Sequence, residues 1–315
     1  MLYVALGVDK QMNAVDLKTE IRSYLTNELS GLDGEMGEMI KMVALRKGGL
    51  LRPQIAIRSG EVYGEPRNHI MPAAAGTELV HAASLIFDDA PFMDYSNTRN
   101  GEASFHVKYG TDKAVLVALE LTNSIAPKLN STNLYLTPEM RTNIQSEFAR
   151  AADGLCVGQF DDLHNAPHSL DEVIELHRKK TGDLFAAAAV IGGIAGSAPE
   201  NEIEILRSFG HNLGIAYQMG DDVYDVFGNA DKGGKPTGQD KDKVTLFDFM
   251  DSPKAIDFWR SCYSNAEADL RRLSSSLELR ETQGNFTGIV NAMPLHDIIS
   301  YVRDKQEGIM DLSAA

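Results

Sequence analysis

The chain has 315 residues, 43% of them hydrophobic and 24% charged, enough to bury one large core and typical of a soluble globular protein. Its formal net charge of -15, from 45 acidic and 30 basic residues, excludes nucleic acid as an expected partner, because a phosphate backbone is met by surplus Lys and Arg. Two cysteines with no CxxC pair argue against a disulfide scaffold or zinc finger, and the start MLYVALGVDKQ lacks an export leader, so a reducing cytoplasm is the expected compartment.

Apolar residues recur at helical spacing along most of the chain. Residues 16–29 place Ile21, Tyr24, Leu25 and Leu29 on one face, and residues 35–45 do the same with Met36, Met39, Ile40 and Val43. The pattern predicts further helices over 113–125, 138–155, 170–180, 200–219 and 254–277, with Ser169 and Glu172 forming a capping box at the start of one of them. The most apolar stretch, residues 184–198, is rich in Ala and Gly and shorter than the ~20 residues a bilayer span needs, which predicts a close-packed buried helix and no membrane span. No alternating β-branched run of useful length occurs, so the expected fold class is all-α, a single domain over residues 1–315. Breaks fall at 47–49, 97–101, 130–137, 165–167 and 228–243, the last long and rich in Gly and Lys, as functional loops often are.

Two of the apolar helices end in carboxylates. SLIFDDAPFMD carries Asp88, Asp89 and Asp94; YQMGDDVYD carries Asp221, Asp222 and Asp225. Asp221 and Asp225 lie one helical turn apart on one face, whereas Asp222 stands roughly 100° round, able to reach a neighbouring ligand or solvent. Pro91 is expected to kink the first helix so that the extra residues bulge and return Asp94 to the side of Asp88. Six carboxylates at two helix ends repel unless cations intervene, and Mg2+, an oxygen-seeking ion usually shared with phosphate, is the natural one. Lys180, Lys235 and Lys243 supply positive charge nearby in sequence, suited to a departing diphosphate.

On these residues the sequence resembles the trans-isoprenyl diphosphate synthase (polyprenyl synthetase) family, of the geranylgeranyl and farnesyl diphosphate synthase type. LVHAASLIFDDAPFMD resembles the first aspartate-rich motif, TRNGEASFH the Arg-Arg-Gly-x-Pro-Thr-x-His segment, KTGDLF the Lys-Thr block, GIAYQMGDDVYDVFG the second aspartate-rich motif and GGKPTGQD the loop after it. The resemblance implies a helical bundle around a deep apolar cavity, usually homodimeric, in which Asp88, Asp89, Asp94, Asp221 and Asp225 hold Mg2+ on an allylic prenyl diphosphate. It counts Lys180 and Asp222 with the catalytic residues, assigns Arg99, Thr181, Gln218 and Lys235 to the allylic diphosphate, and assigns Arg52 and His81 to isopentenyl diphosphate. Small Ala83 and Ser84 before the first motif are expected to admit a chain of ~15–20 carbons.

The acceptor half departs from the pattern. Where the family has Gly-Gly-Lys-x-x-Arg-Pro, this chain has Lys47-Gly48-Gly49-Leu50-Leu51-Arg52-Pro53, so the lysine position is Gly49 or Leu50; the second Arg of the Arg-Arg-Gly segment is Asn100. Two charge-assisted bonds lost at ~1.5–3 kcal/mol each weaken the acceptor roughly a hundred- to ten-thousandfold, unless Lys47 or Lys108 compensates. The leading expectation is chain elongation to C15–C20. Two alternatives stand beside it: a terpene cyclase or prenyltransferase with another acceptor, using the allylic site alone, and a non-catalytic partner subunit of a prenyl synthase.

Overall fold

A computed structural model describes residues 10–46, 48–99, 101–229, 237–238, 243–285, 288 and 292–312. The described residues form helices α1 (Lys10–Leu29), α2 (Gly34–Ala44), α3 (Leu51–Val62), α4 (Arg67–Asp88), α5 (Phe105–Tyr109), α6 (Thr111–Glu120), α7 (Ala126–Ser131), α8 (Pro138–His164), α9 (Leu170–His177), α10 (Asp183–Ala195), α11 (Glu200–Phe227), α12 (Ser252–Thr282) and α13 (Met293–Gly308). Strands β1 (Thr98–Arg99) and β2 (Glu102–Ala103) make one short hairpin. Helices α6 and α7 are continuous through a π turn, Leu121–Ile125, and α9 and α10 through another, Arg178–Gly182.

The bundle is organised around α10. Its run of Ala and Gly leaves almost no side chain to hold neighbours apart, and α3, α4, α8 and α11 all pack on it. A Cβ on Gly192 would overlap the Ala56 carbonyl oxygen of α3 and stand 2.6 Å from Ser59 Cβ; one on Gly210 of α11 would overlap Ala186. This close approach lets dispersion contacts accumulate along the backbones themselves. Outside this layer α12 covers α11: the buried Trp259 indole donates to the Ala216 carbonyl (3.1 Å), and the fully buried Glu202 carboxylate accepts from Arg280 (2.9 Å) and Ser276 (2.8 Å). Helix α13 is pinned through Gln306, whose amide donates to the Tyr217 carbonyl (2.9 Å) and whose oxygen accepts from the Tyr263 hydroxyl.

Several expectations are corrected. Residues 184–198 do form the buried helix expected of them, α10, packed through small side chains, but a longer apolar helix lies elsewhere: α4 has 22 residues and a mean hydropathy of 1.4 over its most apolar stretch, long and apolar enough to cross a bilayer, and 78% of that stretch is buried inside the protein. Helix α4 does not run through Pro91 with a kink but ends at Asp88, before the residue that cannot donate. The box at Ser169 is half formed, since Ser169 Oγ accepts from Glu172 N (3.2 Å) while the Glu172 carboxylate accepts from His168 N (2.7 Å). Substituting Gly192→Ala should overpack the α3–α10 contact and cost about 1–3 kcal/mol, read as a lower urea midpoint with an unchanged m-value.

Candidate active site

The first carboxylate cluster is built by the chain reversal after α4. Once the helix stops, Met93 N and Tyr95 N both donate to the Ala90 carbonyl (2.9 and 3.1 Å), and Asp94 N donates to the Asp88 carbonyl (2.9 Å). Asp94 therefore returns beside Asp88, by turns rather than by a bent helix. The hairpin then folds Arg99 back onto Asp89: Thr98 pairs with Ala103 and Arg99 with Glu102, around Gly101 at φ +80°. Arg99 Nε donates to both Asp89 oxygens (2.9 and 2.8 Å) and Nη2 to Oδ1 (2.6 Å), on a carboxylate that is almost wholly buried. This bidentate pair fits the strong end of charge-assisted bonding.

Asp88 has a different environment. Burial pushes its carboxyl up to about 6; Lys180 and Arg99 oppose this, while Asp94 and Asp89 add like-charge repulsion. The opposing lysine comes from the π turn Arg178–Gly182. Lys180 Nζ bonds Asp162 Oδ2 of α8 (2.6 Å), Lys243 Nζ bonds the same oxygen (3.2 Å), and Lys243 lies 3.9 Å from Asp94 Oδ1. Burial raises the Asp162 carboxyl, yet the two ammonium groups outweigh it and hold it below its ordinary value. Ammonium and carboxylate thus alternate from Lys180 through Asp162 and Lys243 to Asp94.

Glycines allow the π turn to sit there. A Cβ on Gly158 of α8 would be 2.6 Å from Lys180 N, one on Gly154 would overlap the Asp183 carboxylate, and one on Gly214 of α11 would be 2.6 Å from Gly182 Cα. The inserted residue of a π turn faces Lys180 and Thr181 away from Arg178, which binds Asp183 (2.6 Å) and Glu175 (2.7 Å). Thr181 Oγ1 donates to Gln218 Oε1 (2.9 Å), tying the turn to α11.

On α11, Asp221 and Asp225 are half-buried, and Asp221, ahead of burial, drives the Tyr217 hydroxyl above its ordinary range. Gly238 N donates to the Asp225 carbonyl (3.0 Å). Asp222 is corrected: rather than facing ligand or solvent it is buried, bonded to His177 Nε2 (3.1 Å) on α9, where it positions the helix leading into the π turn. Lys235, Lys47 and Asn100 lie outside the described residues.

The sequence reading overlooked Asp162, Gln159 and Arg46. GQFDD in 158–162 was a visible acidic pair next to Gly158. Gln159 is buried with neither amide atom hydrogen-bonded, and Arg46 interacts electrostatically with Arg52, His81, Arg99 and the buried Glu78 of α4. Lys108, considered as a substitute cation, is exposed against Met42 Sδ (3.5 Å) and the Tyr109 ring, away from that group. Ala83 is fully buried, and the Ser84 hydroxyl turns back onto the His81 carbonyl (2.9 Å).

Among the described residues no three His, Cys, Asp or Glu side chains converge on one point. A hard ion that takes one or two carboxylates and completes its shell with phosphate oxygens and water fits the site; Asp88 and Asp94, which repel each other at the end of α4, would hold it, while Asp89, expected as a further ligand, is engaged by Arg99.

The polyprenyl synthetase family model matches residues 34–270. Geranylgeranyl pyrophosphate synthase 7, chloroplastic, of Arabidopsis thaliana is 34% identical over 248 residues, covering 76% of this chain and 71% of its own. The farnesyl diphosphate synthase of Bacillus subtilis is 33% identical over 241 residues, covering 73% and 81%. In structure, the chain resembles a geranyltransferase of Helicobacter pylori complexed with magnesium and isoprenyl diphosphate (TM-score 0.80, 22% identity, 95% and 99% covered) and geranylgeranyl pyrophosphate synthetase of Pyrococcus horikoshii (TM-score 0.73, 26% identity, 93% and 96% covered).

A divalent ion held by Asp88 would compete with its proton. The thermal stabilisation by Mg2+ with inorganic pyrophosphate should be full near pH 7.5 and fade as pH falls through about 6. Lys180→Met, which removes the cation favouring the ionised form, should move that midpoint to higher pH.

Proposed function

From the premise that this chain belongs to the polyprenyl synthetase family, we propose that it condenses an allylic prenyl diphosphate with isopentenyl diphosphate in a Mg2+-dependent reaction ending at C15 or C20. It is a prenyltransferase of the short-chain prenyl diphosphate synthase type, which leaves the substrates, the metal and the residue roles to be assigned.

The observation that carries the assignment is the alternating row Lys180, Asp162, Lys243 and Asp94, abutting Asp88 at the end of an apolar helix. Asp88 and Asp94, with Asp221 and Asp225 of α11, are the ligands for Mg2+, which when bound neutralises diphosphate oxygens. Lys180 and Lys243 bring two ammonium groups to the leaving diphosphate, stabilising the negative charge that grows on it as the C1–O bond breaks. Gln218, oriented by Thr181, and Arg99, oriented by Asp89, present further donors at fixed positions. The allylic cation left behind needs a dry apolar wall, and the aliphatic residues before Asp88 supply one on α4. Small Ala83 and Ser84 favour the longer of the short-chain products. The exposed Leu116 and Leu119 of α6 support a homodimer, testable by light scattering on the purified protein.

Incubation with geranyl or farnesyl diphosphate should yield the chain one isoprene unit longer only when isopentenyl diphosphate is present. Product formed equally well without it would replace elongation by cyclisation. Asp88→Ala should lower kcat at least about 100-fold with little change in circular dichroism, as expected for losing a charge contact made in the transition state. A Cβ on Gly49 meets only Leu51 Cγ at 3.5 Å, an ordinary contact, so Gly49→Lys should fold and lower the KM for isopentenyl diphosphate about tenfold.

A further inference from the structure

The described structure gathers more cations on the acceptor side than the motif positions supply. Arg46 follows the end of α2, Arg52 lies in the first turn of α3, His81 comes from α4 and Arg99 from the hairpin. Arg46 interacts electrostatically with each of the other three, and the buried Glu78 carboxylate of α4 attracts Arg46, Arg52 and Arg22. Arg99 is held by Asp89. Arg52 lies 4.6 Å over the Phe185 ring with its Nε buried and unpartnered. Among the described residues the Arg46 side chain makes no hydrogen bond or ion pair within 4.0 Å. Arg46 and Arg52 are half-buried, and a guanidinium partly withdrawn from water without a hydrogen-bonded anion is costly.

The described part of the loop between them, residues 48–50, is tied to the helices around it. Leu50 sits in the left-handed region (φ +50°) with its side chain in the core, Gln54 donates to the Gly49 and Leu50 carbonyls (2.8 and 3.1 Å), and Arg22 donates to the Gly48 carbonyl (3.2 Å). Gly49 has no side chain and that of Leu50 is apolar and buried, so neither brings a cation beside Arg52, whereas Arg46, before the loop, acts on Arg52 and on Glu78. Burial lowers the affinity of both Arg46 and Arg52 for their protons, Arg52 to about 10, and both stay charged at neutral pH. The free fork of a guanidinium matches two phosphate oxygens, which an ammonium cannot do.

We propose that Arg46 is a ligand of the acceptor diphosphate, supplying together with Arg52 the positive charge that neither Gly49 nor Leu50 carries. The inference rests on the reading under Proposed function for the identity of the acceptor, and on the arginine geometry alone for the anion.

Two measurements test it. In steady-state kinetics Arg46→Ala should raise the KM for isopentenyl diphosphate about 10- to 100-fold, the range of a lost charge-assisted bond, and leave the KM for the allylic diphosphate within about twofold. Arg46→Lys should fall between. Because Arg46→Ala leaves Glu78 with fewer cations, the double variant Arg46→Ala/Glu78→Gln guards against unfolding and should keep the same selective defect. Calorimetry with inorganic pyrophosphate in EDTA isolates the pocket from the aspartates, which repel the anion without divalent ions; Arg46→Ala should weaken that binding at least about tenfold. Loss of metal-free pyrophosphate binding in Arg46→Ala, with no condensation by the wild type, would overturn isopentenyl diphosphate as the acceptor and retain the arginine pocket. An unchanged acceptor KM, equal rises in both KM values, or metal-free pyrophosphate binding indifferent to Arg46 would overturn the inference.

Discussion

Charge compensation at the end of an apolar helix is the constraint on which the arrangement depends. Helix α4 carries its hydrophobic face up to Asp88 and Asp89, so the two carboxylates arrive already poor in solvent. Each is answered differently: Asp89 by a bidentate arginine from the hairpin, Asp88 by Lys180 and the same arginine through longer-range attraction alone. A carboxylate satisfied within the protein becomes structure, and one left short of cations keeps its affinity for a ligand. The π turn, the loop carrying Lys243 and α8 are drawn together because Asp162 binds both lysines.

Arg99 also marks the boundary between two regions of opposite character. On one side it binds Asp89 of the carboxylate cluster; on the other it repels Arg46 and His81. On the proposed function, an acidic site for diphosphate with metal and a basic site for an anion would lie side by side, with the arginine at their border already paired. Two diphosphates brought close together repel, and such a division would give each its own source of positive charge.

Much of this was legible in the sequence. Apolar periodicity marks the long helices that open at Pro138 and Glu200 and the one rich in Trp259 and Leu273, since their buried faces repeat every turn. The aspartates at 88, 89, 94, 221 and 225 were visible because like charges after an apolar run conflict with burial. The rest depends on contacts distant in sequence. That Asp222 turns to His177, that Asp162 receives two lysines, and that Arg46 joins Arg52 around Glu78 each follow from helix packing between segments with no shared local pattern. The hairpin at Arg99 was read as a break because two-residue strands are too short to alternate. The end of α4 before Pro91 was read as a kink, since proline alone does not say whether a helix bends or stops.

The π turn between α9 and α10 carries one more residue than regular winding would use. Removing any single residue from 178–182 would restore an ordinary helix and, at about 100° per residue, rotate α9 against α10 by that amount. His177 would then leave Asp222, or Lys180 would leave Asp162, for the two registers cannot be kept at once. Substitutions in this segment are limited by chemistry one position at a time, whereas its length is held by geometry as a whole, so drift among descendants of this chain should spare the residue count here even where it changes the letters.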